Sequence, residues 1–265
     1  MTAAPDRQLG ANFVVMNELA EKFLPGDVIT SVSKYLAYID GNCTNFSNVL
    51  FRGHRVENWS LLPKIAWLPL PDDEDLLSIE QSMLREFKAR ALPYLEFQPR
   101  TNWEWLAIAR HYGMPTRLLD WTTNPLAALW FAVDRPANDK SRATVWIFFA
   151  MDDDYVADPD QESPFHTDRT RVFRPSHLTR RIVAQNGWFT VHRYMTKRKR
   201  FVPLQNNKTY TSRLSRVAIP PDAFASIRRE LDRCGINSAS LYADLGGLAR
   251  HIEWKFYQYE DEDGA

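Results

Sequence analysis

The chain has 265 residues, 33 of them Lys or Arg and 33 Asp or Glu, so its formal charge is zero, which argues against coating nucleic acid or adhering to a membrane by bulk charge. Hydrophobic residues make up 45%, and 9 Trp, 10 Tyr and 15 Phe supply apolar area for the core of one ordinary or two small domains, which excludes disorder as the dominant state. Cys43 and Cys234 belong to no CxxC or Cys/His set, residues 1–10 hold no apolar segment, and no apolar run reaches a bilayer-spanning length, so a cytoplasmic protein without disulfide, zinc site, signal peptide or membrane span is expected.

Residues 1–29 read as an N-terminal extension. Val32, Leu36 and Ile39 recur at helical spacing, which predicts a helix over 30–39 that stops at Asp40-Gly41, where glycine tolerates a left-handed turn. Residues 49–54 predict a short strand that delivers Arg52 just ahead of Gly53. Residues 59–71 have the character of a proline-punctuated loop. The acids at 72–75 suit the positive start of a helix over 79–91, with Ile79, Met83 and Phe87 on one face. A helix over 103–112 ends at Gly113-Met114-Pro115, and Asn124 with Pro125 open another over 126–134. Between them, 116–123 has room only for a tight strand or turn.

From residue 143 the period changes. Residues 144–149 are β-branched and aromatic, the pattern of a strand buried on both faces, whereas 152–162 hold six acids in eleven residues and read as a solvated loop. Strands are predicted at 188–192, 200–202 and 214–219, followed by helices over 223–233 and 245–256, the latter with Leu248, Ile252 and Phe256 in register. Residues 257–265 form an acidic tail. With no repeat and no Gly/Ser linker, one compact α+β domain over 30–256 is the simplest organisation.

No P-loop, GxGxxG, HExxH or GxSxG pattern occurs, and the histidines at 54, 111, 166, 177, 192 and 251 share no metal-ligand spacing. What remains is a polar concentration in apolar surroundings, His111 to Pro125. Arg117 and Asp120 stand among Leu118, Leu119 and Trp121, so burial of either demands a partner or a ligand. In the structural reading Asp120 pairs with Arg117 or caps a turn, Thr123 and Asn124 start the helix, and His111 bonds its own backbone. In the functional reading the segment is a site. The residues leave both open.

Phe51-Arg52-Gly53, Leu62-Pro63, His111-Tyr112-Gly113, the run from Pro115 to Thr122 and Asn124-Pro125 resemble the FRG domain family, named for its Phe-Arg-Gly motif. Gln185 to Thr190 and Ser240 to Leu245 resemble later motifs of that family, with Ala243 where its pattern has proline and Gly246 where it has an acid. The resemblance spans about residues 30 to 255. Phe51-Arg52-Gly53, together with Asp120-Trp121-Thr122 and the helix that follows, is further similar to ADP-ribosyltransferases of the Arg-Ser-Glu type, with Asp-Trp-Thr in place of Ser-Thr-Ser. That likeness implies a pair of apposed sheets with an N-terminal helical portion, and NAD as substrate. It implies Arg52, Asp120, Thr122 and Asp244 as catalytic residues, and Arg52, His111, Tyr112, Arg117, Trp121 and Gln185 around the NAD. A toxin or phage-defence effector is the implied role, with a nucleic-acid or protein acceptor and an antitoxin as partners. Cleaving the nicotinamide–ribose bond builds positive charge on the sugar, so such a site needs an arginine for the diphosphate, an aromatic wall and a carboxylate near the ribose.

A competing expectation is a nucleic-acid-binding module without catalysis. Arg193, Lys197, Arg198, Lys199 and Arg200 put five cations into eight residues, with Tyr194 to stack on a base; the plainer reading is a solvated hairpin face. A metal-dependent hydrolase built on His111, Asp120 and Asp244 ranks last, since their spacing demands no metal.

Overall fold

A computed structural model describes residues 27–69, 75–95, 98–137, 140–175, 179–257, 259 and 261. Most of the N-terminal extension, acids 72–74, His177 and most of the acidic tail lie outside them.

Helix α1 (Val32–Cys43) is capped by the Ser31 hydroxyl, which accepts from the Lys34 N–H, and it continues through Gly41. The predicted stop fails because Gly41 is not left-handed: burial of Cys43 holds the chain helical against a glycine cost of about 1 kcal/mol. Strand β1 (Val49–His54) has its predicted bounds. Helix α2 (Leu76–Ala91) is capped by Asp75 and buries Leu76, Glu80, Leu84 and Ala91. That face lies one position on from the predicted Ile79, Met83 and Phe87, because Glu80 is drawn inward to Arg117. Helix α3 (Asn102–His111) starts on the Thr101 cap and ends where Gly113 takes φ +90°, the left-handed stop its sequence predicts. Strand β2 (Leu118–Thr122) leads into helix α4 (Pro125–Val133), whose Asn124 side chain accepts from the N–H groups of Leu126 and Ala127.

Then come β3 (Ala143–Phe149), buried at every residue as its composition predicts, β4 (Arg171–Phe173), the short α5 (Arg180–Ala184) and β5 (Gly187–Val191). A two-stranded ribbon, β6 (Tyr194–Met195) and β7 (Arg200–Phe201), precedes β8 (Leu214–Ile219), α6 (Phe224–Arg233), α7 (Ser238–Tyr242) and α8 (Leu245–Phe256). The acidic stretch 152–162 is not wholly solvated, because Asp154 is buried in an ion pair with Arg213. Val28 bridges to Ala218 and Ile29 donates to its carbonyl, so residues 27–29 belong to the folded body.

The six strands form one sheet, in the order β4-β5-β2-β1-β3-β8, with every neighbouring pair antiparallel. The expected pair of apposed sheets is therefore replaced, among the described residues, by a single sheet and a two-stranded ribbon. Register partners point to the same side, so Phe51, Thr122, Ile147 and Val217 share one face. Over half of that face α1, α4 and α6 pack a core with Phe51, Val145, Ile147 and Val217. Over the other half α2 and α3 pack on Leu118, Phe173, Phe189 and Val191. The opposite face is covered by loops that bring Leu61, Leu204 and Tyr210 onto Leu50, Trp121 and Phe148.

Two details fix where a cleft can open. An added Cβ at Gly53 would stand 2.1 Å from the Ala128 carbonyl and 2.6 Å from the Ala132 nitrogen, so glycine is what allows α4 to lie directly on β1. Between β1 and β2 only Phe51 and Thr122 are register partners. Beyond that pair the strands part, between the two helical halves.

Candidate functional site

The parting of β1 and β2 opens into a cleft of about 390 Å³, floored by both strands and flanked by α3, α4 and α5, within the size range of small-molecule sites. Arg52 sits at its base, 19% exposed. Its Nε donates to His54 Nε2 at 2.8 Å and its Nη1 to the Asp120 carbonyl at 2.7 Å, so the guanidinium spans the gap where ladder hydrogen bonds cease. The Asp120 carboxylate lies 3.5 Å from the same Nη1. From the end of α3, Arg110 grips that carboxylate through Nε at 3.0 Å and Nη2 at 2.5 Å.

Asp120 is 43% exposed, toward the cleft. Burial works to raise its pKa, but Arg110 and Arg52 overcome this and bring it down to about 2. It is therefore ionised at neutral pH. Burial, opposed by Asp120 and reinforced by Arg110, lowers Arg52 to about 10, so it stays cationic. His54 is held at about 3, by burial and then by Arg52; His111 is held at about 4, by burial and then by Arg181. Neither histidine carries charge at pH 7.

Aromatic residues line the cleft: Trp59, Phe131 and Trp188 keep exposed surface, while Phe51 and Phe189 contribute from the buried cores behind it. Such surfaces take a flat heterocycle. Arg52, Asp120, Thr122, His111, Trp121 and Gln185 all line this cleft, but three of them are engaged in holding the fold. Thr122 is buried and donates to the Gln185 carbonyl at 2.5 Å while accepting from the Asn124 N–H. Gln185 donates to the Leu241 carbonyl at 3.1 Å, tying α5 to α7. Trp121 is 3% exposed and its indole N–H donates to Thr190 at 3.0 Å.

Four other expectations are displaced. Arg117 is fully buried, bonded to Glu80 through backbone N–H, Nε and Nη2 and to the Pro164 carbonyl. It reaches neither the cleft nor Asp120, because Glu80 satisfies it first. Tyr112 and Asp244 line an adjoining hollow of about 670 Å³, where Asp244 serves as N-cap of α8, accepting from Gly247 at 2.6 Å. Ala243, ahead of it, takes φ +50°, a conformation closed to the proline of the family pattern. Tyr194 is buried against Phe201 and cannot stack on a base, although Arg193, Lys197, Arg198, Lys199 and Arg200 around it are exposed. His111, Asp120 and Asp244 do not gather as a metal site, since Asp120 and Asp244 line different hollows and the described residues hold no metal-binding group of three or more His, Cys, Asp or Glu.

No sequence motif singles out Arg110 or Arg181, yet both line the cleft. A signal for Arg110 exists: it is the first cation after the buried run Leu106 to Ala109 and directly precedes His111-Tyr112-Gly113.

Residues 47–141, from just before β1 to just before β3, match the FRG domain family. No curated protein and no solved structure matches the chain.

Proposed function

We propose that this chain, which carries an FRG domain, consumes NAD in the cleft between α3 and α4, as an ADP-ribosyltransferase or an NAD glycohydrolase. One observation carries the reading: Arg52, Arg110 and the ionised Asp120 converge in an aromatic-walled cleft. Arg52 Nη2 and Arg110 Nη1 make no hydrogen bond among the described residues. Each guanidinium has five N–H donors, so both keep donors to offer a diphosphate, and the rings supply a surface for nicotinamide or adenine.

In this reaction the bond between nicotinamide nitrogen and ribose C1 breaks, nicotinamide leaves neutral with the bonding pair, and water or an acceptor bonds to C1 and releases a proton. Positive charge builds on the sugar in between. Diphosphate bound to Arg52 and Arg110 offsets their charge, which leaves the Asp120 carboxylate to face the developing cation. Being ionised well below neutral pH, it needs no proton loss at the moment of reaction.

The test is nicotinamide release from NAD, read with Asp120→Asn. Asparagine keeps the size and loses the charge, so kcat falls by about 100-fold or more while KM for NAD stays within a few-fold. Equal turnover by a folded Asp120→Asn chain would remove Asp120 from the chemistry. The nucleic-acid reading retains the exposed cations of the ribbon, but with Tyr194 buried it has lost its stacking ring.

A further inference from the structure

Of the cations that line the cleft, Arg181 is the one without a carboxylate. Arg55 is paired with Asp134 at 3.3 Å, and Arg52 and Arg110 share Asp120. Arg181, on α5, has no acidic partner within ion-pair distance among the described residues, and its buried Nε has no hydrogen-bond partner among them. Burial lowers its pKa, against Tyr242, Asp120 and Asp244, which act on it through space without an ion pair, and Arg181 and Asp120 line the same cleft. A guanidinium in this state costs free energy unless something pairs with it.

What holds Arg181 in place is packing. Its guanidinium lies 4.2 Å from the centre of the Tyr242 ring, and Arg250 lies over the same ring at 4.4 Å. Tyr242 belongs to α7, which Gln185 ties to α5 through the Leu241 carbonyl. The donor is thus preorganised before any ligand arrives. With His54 and His111 uncharged, Arg52, Arg110 and Arg181 line the cleft with one carboxylate among the described residues, Asp120, while Asp244 acts on Arg181 from the adjoining hollow, so the cleft has a net positive charge.

We propose that Arg181 binds the second phosphate of a diphosphate, so that the cleft selects ligands with two linked phosphate groups over monophosphates. An internal diphosphate carries one negative charge per phosphate, which complements this positive cleft. The inference deepens the NAD reading and rests on it only for the identity of the rest of the ligand.

Calorimetric titrations with ADP-ribose, ADP and AMP test it, on wild type, Arg181→Ala and Arg181→Lys, each checked by circular dichroism. Wild type should bind ADP-ribose and ADP more tightly than AMP. Arg181→Ala should weaken both by about ten- to a hundredfold and leave AMP within about twofold, with a shallower salt dependence for ADP. The lysine variant should recover part of the loss. Equal weakening of all three ligands would mean a structural role and overturn the proposal, as would an unchanged preference in Arg181→Ala. Binding of ADP with this Arg181 dependence, but none of ADP-ribose or NAD, would leave the diphosphate site standing and remove the NAD reading. A folded wild type that binds none of the three would overturn both.

Discussion

Asp120 and Arg117 stand three residues apart and have opposite fates. Both were legible in the sequence as charges among apolar neighbours that had to be satisfied. The choice of partner was not, because it lies in residues far away in the chain: Glu80 for Arg117, and Arg52 with Arg110 for Asp120. Arg52 was readable from its strand and the glycine after it, whereas Arg181 gave no local signal, since its meaning comes from Tyr242 sixty-one positions on. The histidines yield a prediction at this scale. Burial, with nearby arginines contributing, holds His54 and His192 at about 3 and His111 at about 4, below the ordinary 6.5. A lowered folded pKa means that the unfolded chain binds the proton first, so this stability is complete above pH 6.5 and is lost as pH falls toward 4 for His111 and toward 3 for His54 and His192. Each histidine contributes a slope of about 1.4 kcal/mol per pH unit in that window. Urea midpoints should fall steadily between pH 7 and pH 5, and less steeply in His192→Gln; a flat profile would contradict the assignment. Asp120 adds its own loss only lower, between its unfolded value near 4 and about 2.

Among the elements, caps and glycine stops placed α3 and α4 almost to the residue, because those signals are local. The start and face of α2 were misplaced by tertiary demand. Glu80 looks like a surface residue on a helix, yet it is fully buried and clamps α2 to the entrance of β2, where Arg117 also reaches the Pro164 carbonyl. Removing one member of such a pair strands a buried charge, so Glu80→Ala should cost about 3–5 kcal/mol in chemical denaturation. A loss below about 1 kcal/mol would show that the clamp is dispensable. The Phe-Arg-Gly motif divides its labour in the same physical terms: Phe51 enters the core under α4, Arg52 spans the strand gap, and Gly53 admits the helix backbone.

At the scale of the whole molecule, composition indicated a substantial core in one ordinary or two small domains, and the order of predicted elements indicated one α+β domain; the structure is a mixed fold of helices around one antiparallel sheet. The arrangement of strands was not readable, because β4 and β6 are too short to carry a period and pairing order depends on contacts far apart in sequence. The row Leu248, Ile252 and Phe256 shows the same limit: it is in register on α8 as predicted, but exposed, since periodicity reveals a face without saying what covers it. No helix among the described residues is long and apolar enough to cross a membrane. The zero net charge hides an uneven distribution, with an exposed basic ribbon and a cationic cleft. Replacing Lys197 and Lys199 on the ribbon with Glu should leave stability within about 0.5 kcal/mol and nicotinamide release unaltered. A loss of nicotinamide release in a folded variant would mean that the ribbon, rather than the cleft alone, takes part in the proposed reaction.

In the proposed function the cleft holds NAD through Arg52 beside Asp120. The most direct test is a calorimetric titration of the purified chain with NAD, run beside Arg52→Ala with circular dichroism on both. Saturable binding by wild type, weakened at least tenfold in a folded Arg52→Ala chain, is the predicted result. A folded wild type that takes up no NAD at millimolar concentration, or a variant that binds as tightly, would contradict it.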